Sequence, residues 1–288
     1  MVAGVILRVY MWKYRRLFIL SILIIVLLSL GCTKDDNIVD ENTPGSIVPN
    51  NEIWYTNGST TKPTMPIDPT TESVWPYDPL VFGANIVSHT YDVDKECWVI
   101  RFNHKVTRIG EFAFNDRRSI TSIALPDSVT TIQYSAFKGC TQLTAITLGN
   151  SVTKIGYGAF YGCSSLTSIV LPDSVTTIDS GAFNGCSNLE SITLGNGVVS
   201  IGTGAFAHCA NLSEVTLPDC VKTIRMWAFN PCNSLTSLYC KAVTPPVIEE
   251  STIDPKATIY VPVESVDAYK SAAYWSEYTS NIVGYNFN

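Results

Sequence analysis

The dipeptide Ala-Phe recurs every 23 residues through the middle of the chain, and cysteine and leucine follow it with the same period. A fixed period of about 20 to 50 residues indicates one supersecondary unit stacked on its neighbours, because a single unit cannot bury its apolar side alone. The sequence therefore predicts a repeat solenoid over residues 106–240. The three columns are Ala113-Phe114, Ala136-Phe137, Ala159-Phe160, Ala182-Phe183, Ala205-Phe206 and Ala228-Phe229; Cys140, Cys163, Cys186, Cys209 and Cys232; and Leu143, Leu166, Leu189, Leu212 and Leu235.

Each unit begins with a short alternating apolar segment. Leu166, Ile169 and Leu171 have the spacing of a strand whose inward side chains line a core. Pro172-Asp173 then predicts a turn, and a second extended segment follows before the Ala-Phe turn. Successive coils are expected to form a parallel sheet at about 4.8 Å per coil. Charged residues make up only 15% of the chain, against about a quarter in ordinary domains, which favours a mainly β fold with few or no long helices.

The turn after each strand alternates between Pro-Asp and Gly-Asn, which indicates a true repeat of 46 residues. These are ordinary turn formers, and carboxylates two coils apart, at about 10 Å, lie at or beyond the limit for a glycosidase acid and base pair. The next position is Ser, except that Gly197 and Cys220 replace it late in the series. Since glycine has no hydroxyl, we expect a gap in the polar ladder at Gly197. The two columns are Asp127, Asn150, Asp173, Asn196 and Asp219, and Ser128, Ser151, Ser174, Gly197 and Cys220.

The motifs LPDSVTTI, SAFKGC, GAFYGC and GAFNGC resemble the BspA-like leucine-rich repeats of bacterial cell-surface proteins. The resemblance covers residues 81–288, because residues 260–269 are similar to that family's usual C-terminal cap, predicted here over 241–288. It implies a right-handed leucine-rich-repeat superhelix of short parallel strands with a small cap. Members are typically surface or secreted proteins, and some are adhesins that bind host matrix proteins or other cells. No binding residues are carried over from the family.

Residues 1–31 have the order of an export signal. Lys13, Arg15 and Arg16 precede an uncharged apolar segment over residues 17–30, which is short of the roughly 20 residues that span a bilayer. The following Gly31-Cys32 resembles a bacterial lipobox, although Ser29 stands where a leucine is usual. That resemblance implies lipid attachment at Cys32 and anchoring in the outer membrane. A plain cleaved signal and a transmembrane segment are the alternatives, and translation starts at Met1 or Met11.

Residues 32–80 are rich in Pro, Thr and Asn and predict a flexible tether, because such a composition buries little apolar surface. The prolines are Pro44, Pro49, Pro63, Pro66, Pro69, Pro76 and Pro79. Within the tether, Ile53-Trp54-Tyr55 predicts a strand that pairs with residues 81–88. Residues 81–105 are expected to form N-terminal capping strands.

Composition and motifs exclude several classes of function. The chain carries a formal charge of −6, and four of its basic residues lie in the acid-free first 31, so the remainder is more acidic still. A chain of this charge without a basic cluster does not suit nucleic acid, whose binding depends on phosphate neutralisation. No nucleophile elbow, phosphate loop or zinc-protease motif is present. We therefore expect neither an enzyme nor a cofactor.

Nine cysteines in an exported chain would usually indicate disulfides. Five of them occupy one equivalent position per coil, however, and cysteine is a small residue that is commonly buried. The periodicity favours a column of free core thiols, while at least one disulfide between adjacent coils stays open as the alternative. No metal site is expected, because no C-x-x-C or paired histidine accompanies the column.

Aromatic and arginine residues that break the repeat are the candidate ligand-binding residues, since both types are enriched at binding hot spots. The outward positions of the strands are otherwise small, hydroxylated and nearly uncharged, which suits either broad contact or a plain solvated sheet. For Trp227, packing against the cap is an alternative. The candidates are Tyr134, Tyr157, Tyr161, Arg225, Trp227 and Tyr239.

The sequence thus predicts a cell-surface adhesion protein that presents its repeats to a host or bacterial surface protein or glycan. The alternative is an accessory glycan-binding or glycan-processing protein of the outer membrane.

Overall fold

The structure is a computed structural model that describes residues 48–57, 81–93 and 96–287. The predicted signal peptide, Cys32 and most of the predicted tether lie outside these residues. The described chain is a mainly β parallel solenoid of about eight turns with a single short helix, which confirms the predicted fold class.

Each coil of the solenoid supplies two short strands, one to each side of the core. The strands are β1 (Glu52–Thr56), β2 (Ile86–Asp92), β3 (Cys97–Phe102), β4 (Arg108–Ile109), β5 (Ser122–Ala124), β6 (Thr131–Ile132), β7 (Ala145–Thr147), β8 (Lys154–Ile155), β9 (Ser168–Val170), β10 (Thr177–Ile178), β11 (Ser191–Thr193), β12 (Ser200–Ile201), β13 (Glu214–Leu217), β14 (Thr223–Ile224), β15 (Ser237–Cys240), β16 (Val247–Ile248), β17 (Thr258–Pro262) and β18 (Ile282–Tyr285). The helix α1 covers Val266–Ser271, and 3-10 turns cover Val263–Ser265 and Trp275–Tyr278.

The two sides of the solenoid are built differently. The even-numbered strands from β4 to β16 form one continuous parallel sheet of seven two-residue strands, here called the narrow sheet. The odd-numbered strands from β5 to β17, with β18, form the opposite side, here called the broad face, which divides into paired strands: β5 with β7, β9 with β11, and β13 with β15, β17 and β18. Equivalent outward side chains of successive coils therefore form columns along each face.

The pairing on the broad face follows the 46-residue alternation seen in the sequence. In the first two pairs the backbone N–H of the Gly-Asn turn donates to the aspartate of the preceding Pro-Asp turn: Asn150 N to Asp127 Oδ1 at 2.8 Å, and Asn196 N to Asp173 Oδ1 at 2.7 Å. The glycine is required because a Cβ at Gly195 would collide with the carbonyl of Pro172. A double coil is thus the structural repeat on this face.

The core is a row of stacked phenylalanine rings. Centroids of consecutive rings lie 5.0 to 5.2 Å apart and their planes differ by no more than 6°, and every ring is almost fully buried. The backbone reinforces the stack, because the N–H of the first five phenylalanines donates to the alanine carbonyl of the next coil, as from Phe160 to Ala182 at 2.7 Å, and Phe229 N donates to Thr252 O at 2.9 Å. The row, which confirms the predicted alignment, is Phe114, Phe137, Phe160, Phe183, Phe206 and Phe229.

The repeated cysteines form a second buried column beside the rings. Each thiol donates a hydrogen bond to the phenylalanine carbonyl of the preceding coil, with Sγ to O distances of 3.0 to 3.3 Å. Burial raises the pKa of the Cys140 and Cys232 thiols to about 12, so they stay protonated as donors at neutral pH. All eight cysteines among the described residues are free thiols, in agreement with the favoured alternative.

The polar column after the turn runs through the Pro-Asp coils. Ser128 and Ser174 donate their hydroxyls to the carbonyls of Val106 and Val152, each at 2.7 Å, and the Cys220 thiol donates to Val198 O at 3.0 Å. A side chain at Gly197 would collide with the Asp173 carbonyl, so the predicted gap in the ladder is a steric requirement as well as a missing hydroxyl.

The N-terminal cap differs from the prediction. Strand β1 pairs antiparallel with β3 and with β5, whereas the sequence predicted pairing with residues 81–88. Residues 48–57 consequently belong to the folded cap, although they fall inside the predicted tether of residues 32–80. The reason is that β1 is covered on both sides: Ile53 packs into the solenoid core, and Trp54 packs into a small cluster with Val99 and Ala124.

The parallel ladders also continue past residue 240, where the cap was predicted to begin. Strand β16 extends the narrow sheet, and β17 and β18 extend the broad face. The helix and the second 3-10 turn close the core, with Tyr269 and Trp275 fully buried. Their polar atoms bond loop carbonyls, Tyr269 Oη to Ala242 O at 2.6 Å and Trp275 Nε1 to Pro246 O at 2.7 Å.

A histidine is half-buried in the N-terminal cap. His89 Nε2 lies 2.8 Å from Tyr55 Oη, and its ring packs on Trp98 with centroids 4.9 Å apart. Burial lowers the pKa of His89 from 6.5 to about 4, so the imidazole is neutral at physiological pH. The contacts are those of a structural residue.

Replacing one ring of the phenylalanine row tests the core. Phe183→Ala is expected to lower the free energy of unfolding by about 3 to 5 kcal/mol, because the cavity interrupts the stack on both sides. Urea unfolding followed by circular dichroism measures the loss. The exposed variant Tyr157→Ser is the control and should change the value by less than about 0.5 kcal/mol. Equal losses for the two variants would contradict the assigned core.

The lowered pKa of His89 predicts that the stability of the fold depends on pH. Between pH 6.5 and 4 the unfolded chain binds a proton that the folded chain does not, so stability falls as the pH drops through this range. His89→Gln keeps a polar partner for Tyr55 but does not titrate, and it should flatten the decrease in melting temperature from pH 7 to 4. His104→Gln, at an exposed histidine, should leave the wild-type profile unchanged. Parallel profiles for wild type and His89→Gln would refute the prediction.

Candidate binding surfaces

The turn after each narrow-sheet strand contains a residue with left-handed backbone. The row of these turns is here called the turn ridge, and it runs along one edge of the solenoid. The middle coils use glycine at this position, which accepts a positive φ without a steric penalty. The first and sixth of these turns instead use large aromatic residues, which suggests a role for them outside the core. The position is occupied by Phe112, Ser135, Gly158, Gly181, Gly204, Trp227 and Ser251, with φ of 56°, 49°, 57°, 62°, 58°, 58° and 53°.

Three rings pack against each other at the N-terminal end of the turn ridge. Tyr134 stacks on Tyr157 with centroids 5.4 Å apart, and Phe112 meets Tyr134 edge-on at 5.0 Å. Their exposed fractions are 47% for Phe112, 41% for Tyr134 and 55% for Tyr157. Tyr161 lies on the neighbouring position of the same ridge, 46% exposed, with Lys138 Nζ 5.6 Å from its ring centroid. Phe112, Tyr134, Tyr157 and Tyr161 are here called the aromatic patch.

The predicted residues Arg225 and Trp227 lie at the other end of the turn ridge, five coils from Phe112, or about 25 Å at the usual strand spacing. Arg225 Nη1 bonds Glu249 Oε1 at 2.6 Å, and Glu249 also accepts from the Met226 N–H at 2.8 Å. These two bonds lower the pKa of Glu249. Trp227 is 51% exposed, so about half of its surface is open to solvent.

Tyr239 lies apart from the other candidates, on the broad face. Its ring stacks on Tyr260 with centroids 4.5 Å apart, and Tyr285 meets it edge-on at 5.3 Å. Phe287 packs on Tyr285 at 5.0 Å and completes a group that is here called the tyrosine cluster: Tyr239, Tyr260, Tyr285 and Phe287. Sequence reasoning missed Tyr260, Tyr285 and Phe287, because their partnership depends on β17 and β18 continuing the broad face.

A shallow groove of about 900 Å³ crosses the broad face next to the tyrosine cluster. It is here called the sheet groove. Its floor comes from outward residues of β9, β11 and β13, and its side comes from the Pro-Asp and Gly-Asn turns. The residues that carry its chemistry are Val170, Asp173, Thr193, Asn196, Glu214, Thr216 and Lys241.

The surfaces belong to repeats of a recognisable kind. The family model for the BspA type leucine rich repeat region matches six copies over residues 86–187 and 107–236, which is more than half of the chain. The chain belongs to the BspA-type leucine-rich-repeat family. This confirms the predicted resemblance.

Solved structures of bacterial leucine-rich-repeat proteins resemble this BspA-type chain. The T. pallidum leucine-rich-repeat protein is 38% identical over 47% of this chain and 64% of its own, with a TM-score of 0.46. A leucine-rich-repeat protein from Bacteroides ovatus is 27% identical over 56% of this chain and 50% of its own, with a TM-score of 0.35. A leucine rich cell surface protein from Faecalibacterium prausnitzii is 19% identical over 64% and 84%, with a TM-score of 0.29.

The BspA-type chain covers less than two thirds of the first two of these proteins. A comparison with curated proteins found no match. Within residues 48–57, 81–93 and 96–287, no helix is long and apolar enough to cross a bilayer. The same residues bring together no group of three or more side chains of the metal-binding types.

Proposed function

We propose that this protein is exported to the bacterial cell surface, where it acts as an adhesion module that binds a host or bacterial surface protein through the aromatic patch. The observation that supports the proposal most directly is the set of four exposed aromatic rings on the turn ridge. The role is one of binding rather than catalysis, in keeping with a repeat family whose members are generally interaction proteins.

The aromatic patch has the physical properties of a protein-binding hot spot. Tyrosine contributes a large amphipathic area at low entropic cost, and here the stack of Tyr134 on Tyr157 restrains both rings before any partner binds. The turn below is fixed by the backbone bond from Ser135 N to Tyr157 O at 2.9 Å. Ordered rings lose little freedom on association, so more of the contact energy appears as affinity.

Charged side chains lie on the turns that carry the aromatic patch. Lys138 lies over Tyr161, and the ion pair of Asp116 with Arg118 at 3.3 Å lies on the same turns. An apolar centre within a polar rim is the usual arrangement of a specific protein interface. The overall acidic charge of the chain disfavours nucleic acid as the partner.

We further propose that Cys32 carries a lipid that anchors the protein in the outer membrane. The lipobox-like sequence before Cys32 supports this, together with the following Asp35-Asp36. Residues 33–47 would then separate the anchor from the first described residue of the folded cap.

Lipid attachment at Cys32 is testable by metabolic labelling. The full-length protein, expressed in a Gram-negative host fed with an alkyne fatty acid, should incorporate the label, and Cys32→Ser should not. Cys220→Ser is the matched control, since Cys220 is the partly exposed thiol among the described cysteines, and it should label normally. Label that persists in Cys32→Ser, or is absent from the wild type, contradicts the anchor.

The role of the aromatic patch is testable with a substitution that the repeat itself supplies. In the column of Tyr134 and Tyr157 the next two coils carry Ser180 and Thr203, so Tyr134→Ser with Tyr157→Ser should fold normally. On an array of matrix proteins and glycans, we expect the wild type to retain a protein ligand. Surface plasmon resonance should then show at least about a thirtyfold loss of affinity for the double variant.

The control for this experiment is Thr203→Ser, which changes a partly exposed residue of the same column outside the aromatic patch. It should bind as the wild type does. The proposed function fails if the array retains no protein, or if the double variant binds a retained protein with wild-type affinity.

A further inference from the structure

The sheet groove and the tyrosine cluster form one continuous surface. Thr216 lines the groove, and the parallel register places Tyr239 beside it in the next strand and Tyr260 in the strand beyond. Tyr260 covers the face of the Tyr239 ring that points away from the groove, at a centroid distance of 4.5 Å. The opposite face of Tyr239 is therefore turned toward Thr216, the groove residue in the neighbouring strand.

The groove is lined by groups that exchange hydrogen bonds with hydroxyls. Thr193 and Thr216 supply hydroxyls from the floor, Asn196 supplies an amide, and Asp173 and Glu214 supply carboxylates. The turns at its side are rigid, because Asp173 Oδ1 accepts the Asn196 N–H at 2.7 Å. Polar groups that are held in place before binding lose little entropy when a ligand replaces their water.

The lining discriminates among classes of ligand. Two carboxylates face one cation, Lys241, so the groove is unsuited to an acidic polysaccharide or a phosphate. The hydroxyl, amide and carboxylate groups of the lining instead suit a neutral ligand rich in hydroxyls, and the groove volume of about 900 Å³ is ample for several sugar units.

We propose that the sheet groove binds a chain of neutral sugar units, with one ring packed on the open face of Tyr239 and hydroxyls bonded to Thr193, Asn196 and Asp173. The face of an aromatic ring is apolar and weakly negative, so the C–H groups of a sugar ring pack favourably against it. Burial and, to a smaller extent, Glu214 raise the pKa of Tyr239, so its hydroxyl stays protonated at neutral pH. This second site lies on the broad face and takes a different ligand class from the aromatic patch on the turn ridge.

The test is calorimetric titration of the mature protein with neutral hexasaccharides of glucose, mannose, xylose and galactose, and with a sulfated hexasaccharide for comparison. At least one neutral chain should bind. Tyr239→Thr should weaken binding by about tenfold or more, since removing a hot-spot aromatic commonly costs that much. Threonine already occupies this column at Thr147, Thr193 and Thr216, so the change suits the repeat.

A second variant makes the test independent of the tyrosine cluster. Thr193→Lys places a long side chain on the exposed floor of the groove and should also abolish binding. Tyr134→Ser with Tyr157→Ser should bind sugar normally, which separates this site from the protein-binding surface. The proposal is overturned if no neutral chain binds, if only the sulfated chain binds, or if Thr193→Lys binds as the wild type does.

Discussion

Stacking of each coil on the next is the interaction on which the rest of the structure depends. The phenylalanine rings repeat at 5.0 to 5.2 Å and the backbone bonds between coils run in the same direction. Because this spacing is shared by every column, two aromatic residues in one outward column must lie within ring contact. The core thereby determines the order on the surface: the Tyr134 and Tyr157 rings stack with a centroid spacing of 5.4 Å, close to that of the buried row.

The same stacking explains where the repeat tolerates change. Inward positions keep Phe, Cys and Leu, since a change there interrupts the packing of two neighbouring coils. Outward positions and the left-handed turn position contact solvent, so large residues such as Phe112 and Trp227 fit there despite the strain of a positive φ. The binding surfaces are assembled from these departures, and their variants can be designed from the neighbouring coils.

The two candidate surfaces use different chemistry because they lie on different sides of each coil. The turn ridge is a narrow edge where rings project past the backbone, which suits contact with a protein. The broad face is a flat sheet with hydroxyl columns bordered by rigid turns, which suits a chain of sugars. A surface protein with both could hold a glycan and a protein partner together, each with its own determinants.

From sequence alone, the fixed period of Ala-Phe, Cys and Leu determined the solenoid, its phenylalanine row, its cysteine column and the gap at Gly197, because these depend on contacts between equivalent positions one coil apart. Tertiary structure alone decided the rest. The pairing of β1 with β3 and β5, and of Tyr239 with Tyr260 and Tyr285, joins segments that share no repeat position. Contacts of that kind depend on how the chain returns to the stack, which no periodicity specifies.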